Sequence, residues 1–340
     1  MVNPNPKSPT ISIKDIARMA GVSKTTVSFI INGKAKEHQI STETIQKVQS
    51  IVEQMQFVPN EFARGFRLKQ TKTIGLVVGD VYNHFLSLLE KTIEIEARNQ
   101  GFNLVIASSD DDPELESRAI QSFLSRSVDA LILVSVYSDN KIHQQLNTRN
   151  IPIIYLDRVV TGRHVTCVTT DNYAGAFKLT EQFASQSCRH IAFIGGRPSI
   201  STSSERFRGF QAALEHYHLP YSPDLIVHGE FTVEAGYLAT KQLFSAAHIY
   251  PDAIFTASYT LLEGLFQYAR EFNLNILQRI KLATFDDHPL FDFLPFKVNS
   301  VQQNTELMGK TAFDLVLQAI RGNRNLENVV IPPKFIIRQS

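Results

Sequence analysis

A chain of 340 residues, 43% apolar and 20% charged, is too long for one ordinary domain and too apolar for a disordered one. Apolar runs are strand-sized, MVNPNPKSPT lacks a signal-peptide core, and Cys167 and Cys188 form neither a disulfide framework nor a metal pattern. The expectation is a cytoplasmic protein of two or three units, without membrane, metal or cofactor. Residues 1–72 hold 11 Lys+Arg against 5 Asp+Glu and the remainder 23 against 28, so only the head suits a polyanion.

Ser12 and Asp15 have capping-box spacing, and Ile13, Ile16, Ala17 and Ala20 then recur at helical intervals. Gly21 follows, where a sharp turn favours positive φ. Ser23 caps a second helix with Val22, Val27, Ile30 and Ile31 facing inward. Two short helices about so tight a turn predict a helix-turn-helix, whose second helix reads base edges in the major groove. Lys24 and Thr25 open that helix, and Ser28 and Phe29 follow one turn later. Lysine can donate to guanine, threonine to base or phosphate, and an aromatic ring can touch a thymine methyl. Thr26 is a phosphate candidate, and Ser12, Ser23 and Asn32 at the helix ends complete the candidate DNA-binding set.

A third helix from Ser41 carries Ile45, Val48, Ile51, Val52 and Met55 on one side and closes a small all-α core. Pro59 ends it, and Asn60 can cap a short helix, Glu61 to Arg67. With Gly65 inside, that helix is marginal alone, so the segment is either a plain linker or an element that orders on docking. The expected divisions are a DNA-binding head at 1–58, a hinge and linker at 59–72, and a body at 73–340.

From residue 73 apolar segments alternate with helical patterns: TIGLVVG, NLVIASS, DALILVS and IPIIYLD, then HIAFIGG, LIVHG, DAIFTAS and IKLATF. Such runs predict an α/β body of two lobes with parallel sheets covered on both faces. Ligands of such sheets sit beyond the carboxyl ends of the strands. The polar and aromatic residues there are Asp80, Tyr82, Asn83, Phe85, Ser135, Asp157 and Arg158 in the first lobe. Arg206, Ser258, Tyr259 and Asp286 follow in the second, with Gln302 near a crossover. Carboxylates and arginines around an aromatic platform suit a sugar, whose adjacent hydroxyls donate and accept in pairs. Arg158 can pair with either a carboxylate or a phosphate.

IKDIARMAGVSKTTVSFIING, VPNEFARGF and TIGLVVGD, in this order, resemble the lactose-repressor (LacI) family of bacterial transcription regulators. The resemblance implies a periplasmic-binding-protein-like body with three crossovers, and a homodimer on pseudo-palindromic double-stranded operator DNA. It also implies hinge helices in the minor groove, with Asn60, Arg64 and Phe66 at DNA and Phe66 where the family has a wedging leucine. Arg206 in RFRGF and Asp286 in ATFDDH match family positions that face effector. ASYTLLEG, ATFDDH, NSVQQN and INGKAKE resemble the sucrose-operon repressors and, less closely, the fructose repressor. That implies fructose or fructose 1-phosphate as effector, with free or phosphorylated sugar and inducer or corepressor left open. The chain stops at FIIRQS without the family's tetramerising helix, so a dimer is expected. Another sugar ligand, or a sugar-binding module without a regulatory role, is the alternative reading. Enzymatic chemistry is not expected: GxGxxG, Walker and GxSxG patterns are absent, and Asp286, Asp287 and His288 are adjacent rather than convergent.

Overall fold

Helix α1 (Ile13–Ala20) starts on a reciprocal cap: the Asp15 N–H donates to Ser12 Oγ, and the Asp15 carboxylate accepts from the Ser12 N–H at 3.1 Å. The computed structural model describes residues 11–57, 70–137, 146, 151–162, 165–246, 250–272 and 275–338. It divides into two units, Met1–Thr71 and Lys72–Ser340.

In the first unit Gly21 adopts φ 71° and closes α1, with the Val22 N–H reaching back to the Ala17 carbonyl. Helix α2 (Lys24–Ile31) begins after Ser23, whose Oγ accepts from the Thr26 N–H at 3.0 Å. Helix α3 (Thr42–Gln54) begins the same way after Ser41. Ile16, Ala17, Ala20, Val27, Ile30 and Val48 form the buried centre, and Ile45, Ile51 and Val52 pack against it. The two turns and three caps place α2 with Lys24 and Thr25 exposed to solvent.

The second unit holds two six-stranded sheets. The first contains β1 (Thr73–Val78), β2 (Asn103–Ser108), β3 (Ala130–Leu133), β4 (Ile153–Leu156), β5 (Cys167–Thr170) and β11 (Val329–Ile331), ordered β11-β5-β4-β3-β1-β2. The second contains β6 (Ile191–Gly195), β7 (Ile226–His228), β8 (Ala253–Thr256), β9 (Lys281–Phe285), β10 (Val298–Gln302) and β12 (Lys334–Ile336), ordered β12-β10-β9-β8-β6-β7. All pairs are parallel except β10 with β12. The chain passes between the sheets three times, after β5, after β10 and between β11 and β12.

Alternation along β1 explains the layering. Ile74, Leu76 and Val78 pack under α4 (His84–Asn99) and α11 (Thr305–Ile320), while Val77 on the opposite face meets α5 (Pro113–Ser125) through Ile120 and Phe123. The second sheet is covered by α6 (Asn172–Ser185), α7 (Ser201–His216), α8 (Val233–Ala246), α9 (Tyr259–Phe272) and the short α10 (Ile276–Arg279). Its centre is aromatic: Phe193, Phe210 and Phe255 are fully buried with ring centroids 5.0 and 5.4 Å from Phe193. Gly264 lets α9 lie directly on α8, where an added Cβ would run into the Val233 carbonyl and the Tyr237 nitrogen. Cys167 and Cys188 are buried free thiols. Among the described residues no helix is long and apolar enough to cross a membrane.

Candidate functional site: an acidic-basic cleft and an exposed reading helix

The strand ends of both lobes converge on one cavity of about 450 Å³, partly open to solvent, lined by Asp80, Asn83, Phe85, Asp157, Arg158, Arg206, Ser258 and Asp286 among others. Asp157 and Asp286 occupy equivalent places, each directly after the strand at the same position of its sheet. Both are buried with left-handed backbones, φ 67° and 71°. Aspartate tolerates that conformation better than most residues, yet it still costs on the order of 1 kcal/mol. Two such turns in matching places aim two carboxylates at the space between the lobes.

Arg206, on α7, lines the same cavity and interacts electrostatically with both. Its Nε donates to Asn172 Oδ1 at 2.8 Å and its Nη1 to the Ala257 carbonyl at 2.6 Å, and its plane covers the Phe285 ring at 3.7 Å. Gln303 Nε2 donates to Asp286 Oδ1 at 2.7 Å, whereas Asp157 Oδ1 is buried without a hydrogen-bond partner. Burial pushes the Asp157 carboxyl up to about 6, against the pull of Arg206 and Arg158. Burial raises Asp286 too, opposed by Arg206 and the Gln303 bond. The same burial lowers Arg206, with both aspartates acting the other way. Arg158 is forked onto Asp111 at 2.7 and 3.0 Å. There burial pulls the guanidinium down, but Asp111, through charge and hydrogen bond, together with Asp157 and Glu116 outweighs it and the net shift is upward. The cleft is thus desolvated, charged and held by hydrogen bonds, with Asp157 Oδ1, Gln303 Oε1 and Arg158 Nε buried without partners. A polyhydroxylated ligand supplies donors of that kind without bringing its own counter-charge.

Four expected cleft residues stand elsewhere. Gln302 is exposed and pairs with Lys334 across the antiparallel edge; its neighbour Gln303 takes the inward position, because a strand alternates its faces. Tyr82 is 93% exposed, the Asp80 carboxylate having been used to accept the Tyr82 N–H at 2.8 Å and turn the ring outward. Ser135 is buried behind the lining and donates to Glu116 Oε1 at 2.6 Å. Tyr259 stacks on His288 at 4.8 Å outside the lining. Asn83 caps α4 and donates to Thr260 Oγ1 at 3.3 Å, joining the lobes beside the cavity. Asp111, Thr202 and Phe231 line the cavity and were missed. Asp111 follows β2 and satisfies the strand-end rule, but its run of three aspartates reads as a helix cap, the role Asp112 takes. Phe231 had no signal in the sequence.

On the head, Lys24 and Thr25 are exposed on the first turn of α2, and Thr26, Ser28 and Phe29 are half-buried. Ser12 and Ser23 are committed to capping, although Ser23 Oγ and Thr26 Oγ1 also meet at 2.9 Å. Asn32 Nδ2 donates to the Ser28 carbonyl at 2.6 Å and so ties down the end of α2. Asn60, Arg64 and Phe66, with the expected hinge helix, lie outside the described residues. No group of three His, Cys, Asp or Glu among the described residues is arranged to hold a metal ion.

Comparison with known proteins gives the same partition. Residues 12–60 match the model of bacterial regulatory proteins of the lacI family, and residues 71–339 match that of periplasmic binding proteins and the sugar-binding domain of the LacI family. The fructose operon regulatory protein of Vibrio cholerae is 35% identical, over 96% of this chain and all of the relative. The sucrose operon repressor of Klebsiella pneumoniae is 32% identical, over 93% of this chain and 94% of its own. The crystal structure of the Cra transcriptional dual regulator of Pseudomonas putida in complex with fructose 1-phosphate superposes with a TM-score of 0.75 at 33% identity, covering 79% of this chain and 99% of that one.

Proposed function

Because this chain belongs to the LacI family of bacterial regulatory proteins, we propose that it is a homodimeric repressor of a fructose- or sucrose-utilisation operon, released from its operator by a fructose species. Its relatives are transcriptional regulators rather than enzymes. The observation that carries the reading is the cleft: Arg206 sharing one cavity with two buried, left-handed aspartates, one of them with an unpaired oxygen.

In this proposal Asp157 and Asp286 accept the sugar's hydroxyl protons in hydrogen bonds, and Arg206 donates to its oxygens. Arg158, Asp80, Asn83 and Ser258 complete the polar wall, and Phe85 offers its face to the apolar side of the ring. A phosphorylated sugar draws on Arg158 at the expense of its Asp111 fork, whereas a free sugar leaves that fork intact. In the head, Lys24, Thr25 and Phe29 read bases while backbone phosphates supply salt-dependent affinity. Phe66 of each protomer wedges between base pairs at the operator centre. Effector binding shifts the lobes, and the dimer's hinge segments lose their docking. The ligand acts only through its preference for the released state, typically ~1–3 kcal/mol.

The test is an operator-binding assay on the full chain with Arg206→Ala beside wild type. The expected result is unchanged operator affinity with loss of sugar-driven release. Normal release from the Arg206→Ala variant contradicts the assigned site, and tighter operator binding with sugar makes the ligand a corepressor.

A further inference from the structure

The recognition helix carries a contact that neither its spacing nor its polar residues announce. The Phe29 ring, on the second turn of α2, lies against the His38 imidazole with centroids 3.5 Å apart and planes 14° from parallel. His38 is brought there by a tightly closed loop. The Lys34 N–H donates to the Phe29 carbonyl at 2.8 Å, the His38 N–H to the Lys34 carbonyl at 3.3 Å, and the Ile40 N–H to the Ala35 carbonyl at 3.0 Å. Ala35 anchors the loop in the head's core, and Gln39 takes a left-handed φ of 52° so that the chain can turn back into α3.

The stack is on the outside of the domain. Phe29 is half-buried and His38 exposed, so core burial does not explain why one ring covers the other. What the stack does is remove freedom. An aromatic side chain exposed on a helix samples several rotamers, and a flat partner on one face selects among them.

We propose that His38 is a positioning residue for sequence recognition, holding the Phe29 ring in the single orientation in which its uncovered side meets a base. The proposal rests on the DNA-reading role of α2 stated above. An aromatic ring reads sequence by touching a thymine methyl, a contact that depends on where the ring stands. Lysine–phosphate contacts depend on charge and carry no sequence information. Releasing the ring therefore weakens the selected site and leaves non-specific binding alone. A histidine that instead bound phosphate itself would weaken both together.

The experiment uses the full chain and an operator obtained by selecting wild-type binding sites from randomised duplexes. Affinities for that operator and for a scrambled duplex are measured at one salt concentration. The variants are His38→Ala, His38→Tyr, Phe29→Ala and the double alanine variant, each checked for wild-type melting. His38→Ala is expected to lower the ratio of specific to scrambled affinity roughly 3- to 10-fold, with the scrambled affinity unchanged. His38→Tyr keeps a flat ring and is expected to restore the ratio. In the Phe29→Ala background, removing His38 is expected to add nothing. The proposal is overturned if the scrambled duplex loses as much as the operator, if tyrosine fails to restore the ratio, or if the two single losses multiply. A wild-type chain that enriches no sequence overturns the DNA-reading role, and this proposal with it.

Discussion

Asp157 joins a strained backbone, a buried charge and an unpaired acceptor, a combination that costs stability and that the proposed ligand would relieve. Its carboxyl ordinarily titrates near 3.8 and is pushed up to about 6 in the fold, first by burial. Between those values the folded chain holds more protons than the unfolded one. Its stability contribution is therefore full below about 4 and is lost as pH rises through about 6. By that linkage Asp157→Asn, which keeps the shape and the tolerance of a left-handed φ, is expected to stabilise the body at pH 7.5 by up to about 3 kcal/mol. The gain shrinks as Arg206 loses one of its two carboxylates. Calorimetry at pH 7.5 and pH 4.5 checks this, and an equal change in Tm at both values contradicts it. In the proposed site sugar hydroxyls donate to the ionised carboxylate, so effector affinity is expected to rise as pH goes from 5 to 7, a rise that Asp157→Asn flattens in calorimetric titrations. Much of this site was legible in the sequence because strand ends in a parallel sheet all point to one edge, which brought Asp80, Asp157, Arg158 and Asp286 together in advance. Gln302 was misplaced because one residue of strand register reverses the face, and only the ladder partner fixes the register. Gln303→Ala is accordingly expected to weaken effector binding, with Gln302→Ala close to wild type in the same titration.

Among the elements, helix ends and helix–helix contacts divide the molecule into what local chemistry fixes and what packing fixes. The cap of α1 is local: Ser12 and Asp15 satisfy each other's backbone groups, and the sequence spacing alone located them. Ser12→Ala is expected to cost the head about 1 kcal/mol. Hydrogen exchange in α1 reads that loss as faster exchange, with the amides of the sheets unchanged. The α8–α9 contact is not local. Gly236 and Gly264 allow the two backbones to touch, and nothing in either helical pattern marked those glycines as contact points rather than interruptions. Gly264→Ala forces the helices apart against backbone atoms that cannot rotate away, and is expected to cost more than about 2 kcal/mol, seen as a fall in Tm. The strands β5, β10, β11 and β12 went unnamed in the sequence for a related reason. In β5 and β10, Thr169, Thr170, Asn299 and Ser300 interrupt the apolar run that marked their neighbours, and β11 and β12 are three residues each, set either side of Pro332 and Pro333. Their partners in the sheet, not their composition, make them strands.

For the molecule as a whole, the three crossovers matter most, because they place both sets of strand ends around one cavity while residues 72–340 remain one unit. Asn83 bonded to Thr260 and Val159 N–H bonded to Ser201 Oγ at 2.7 Å tie the lobes together around the cavity. A ligand between them can change the balance of such contacts and so bias a dimer built on these lobes. If the basic head holds operator DNA and the acidic body a sugar, as proposed, regulation requires that binding at one change affinity at the other. The direct measurement is fluorescence anisotropy of a labelled operator bound by the full chain at fixed salt, titrated with fructose, fructose 1-phosphate and glucose. A fructose species is expected to weaken operator binding about 5- to 150-fold, the usual range of such coupling, while glucose leaves it unchanged. Operator affinity that stays constant with every fructose species, in a chain that is folded and binds the operator, would contradict a fructose-released repressor.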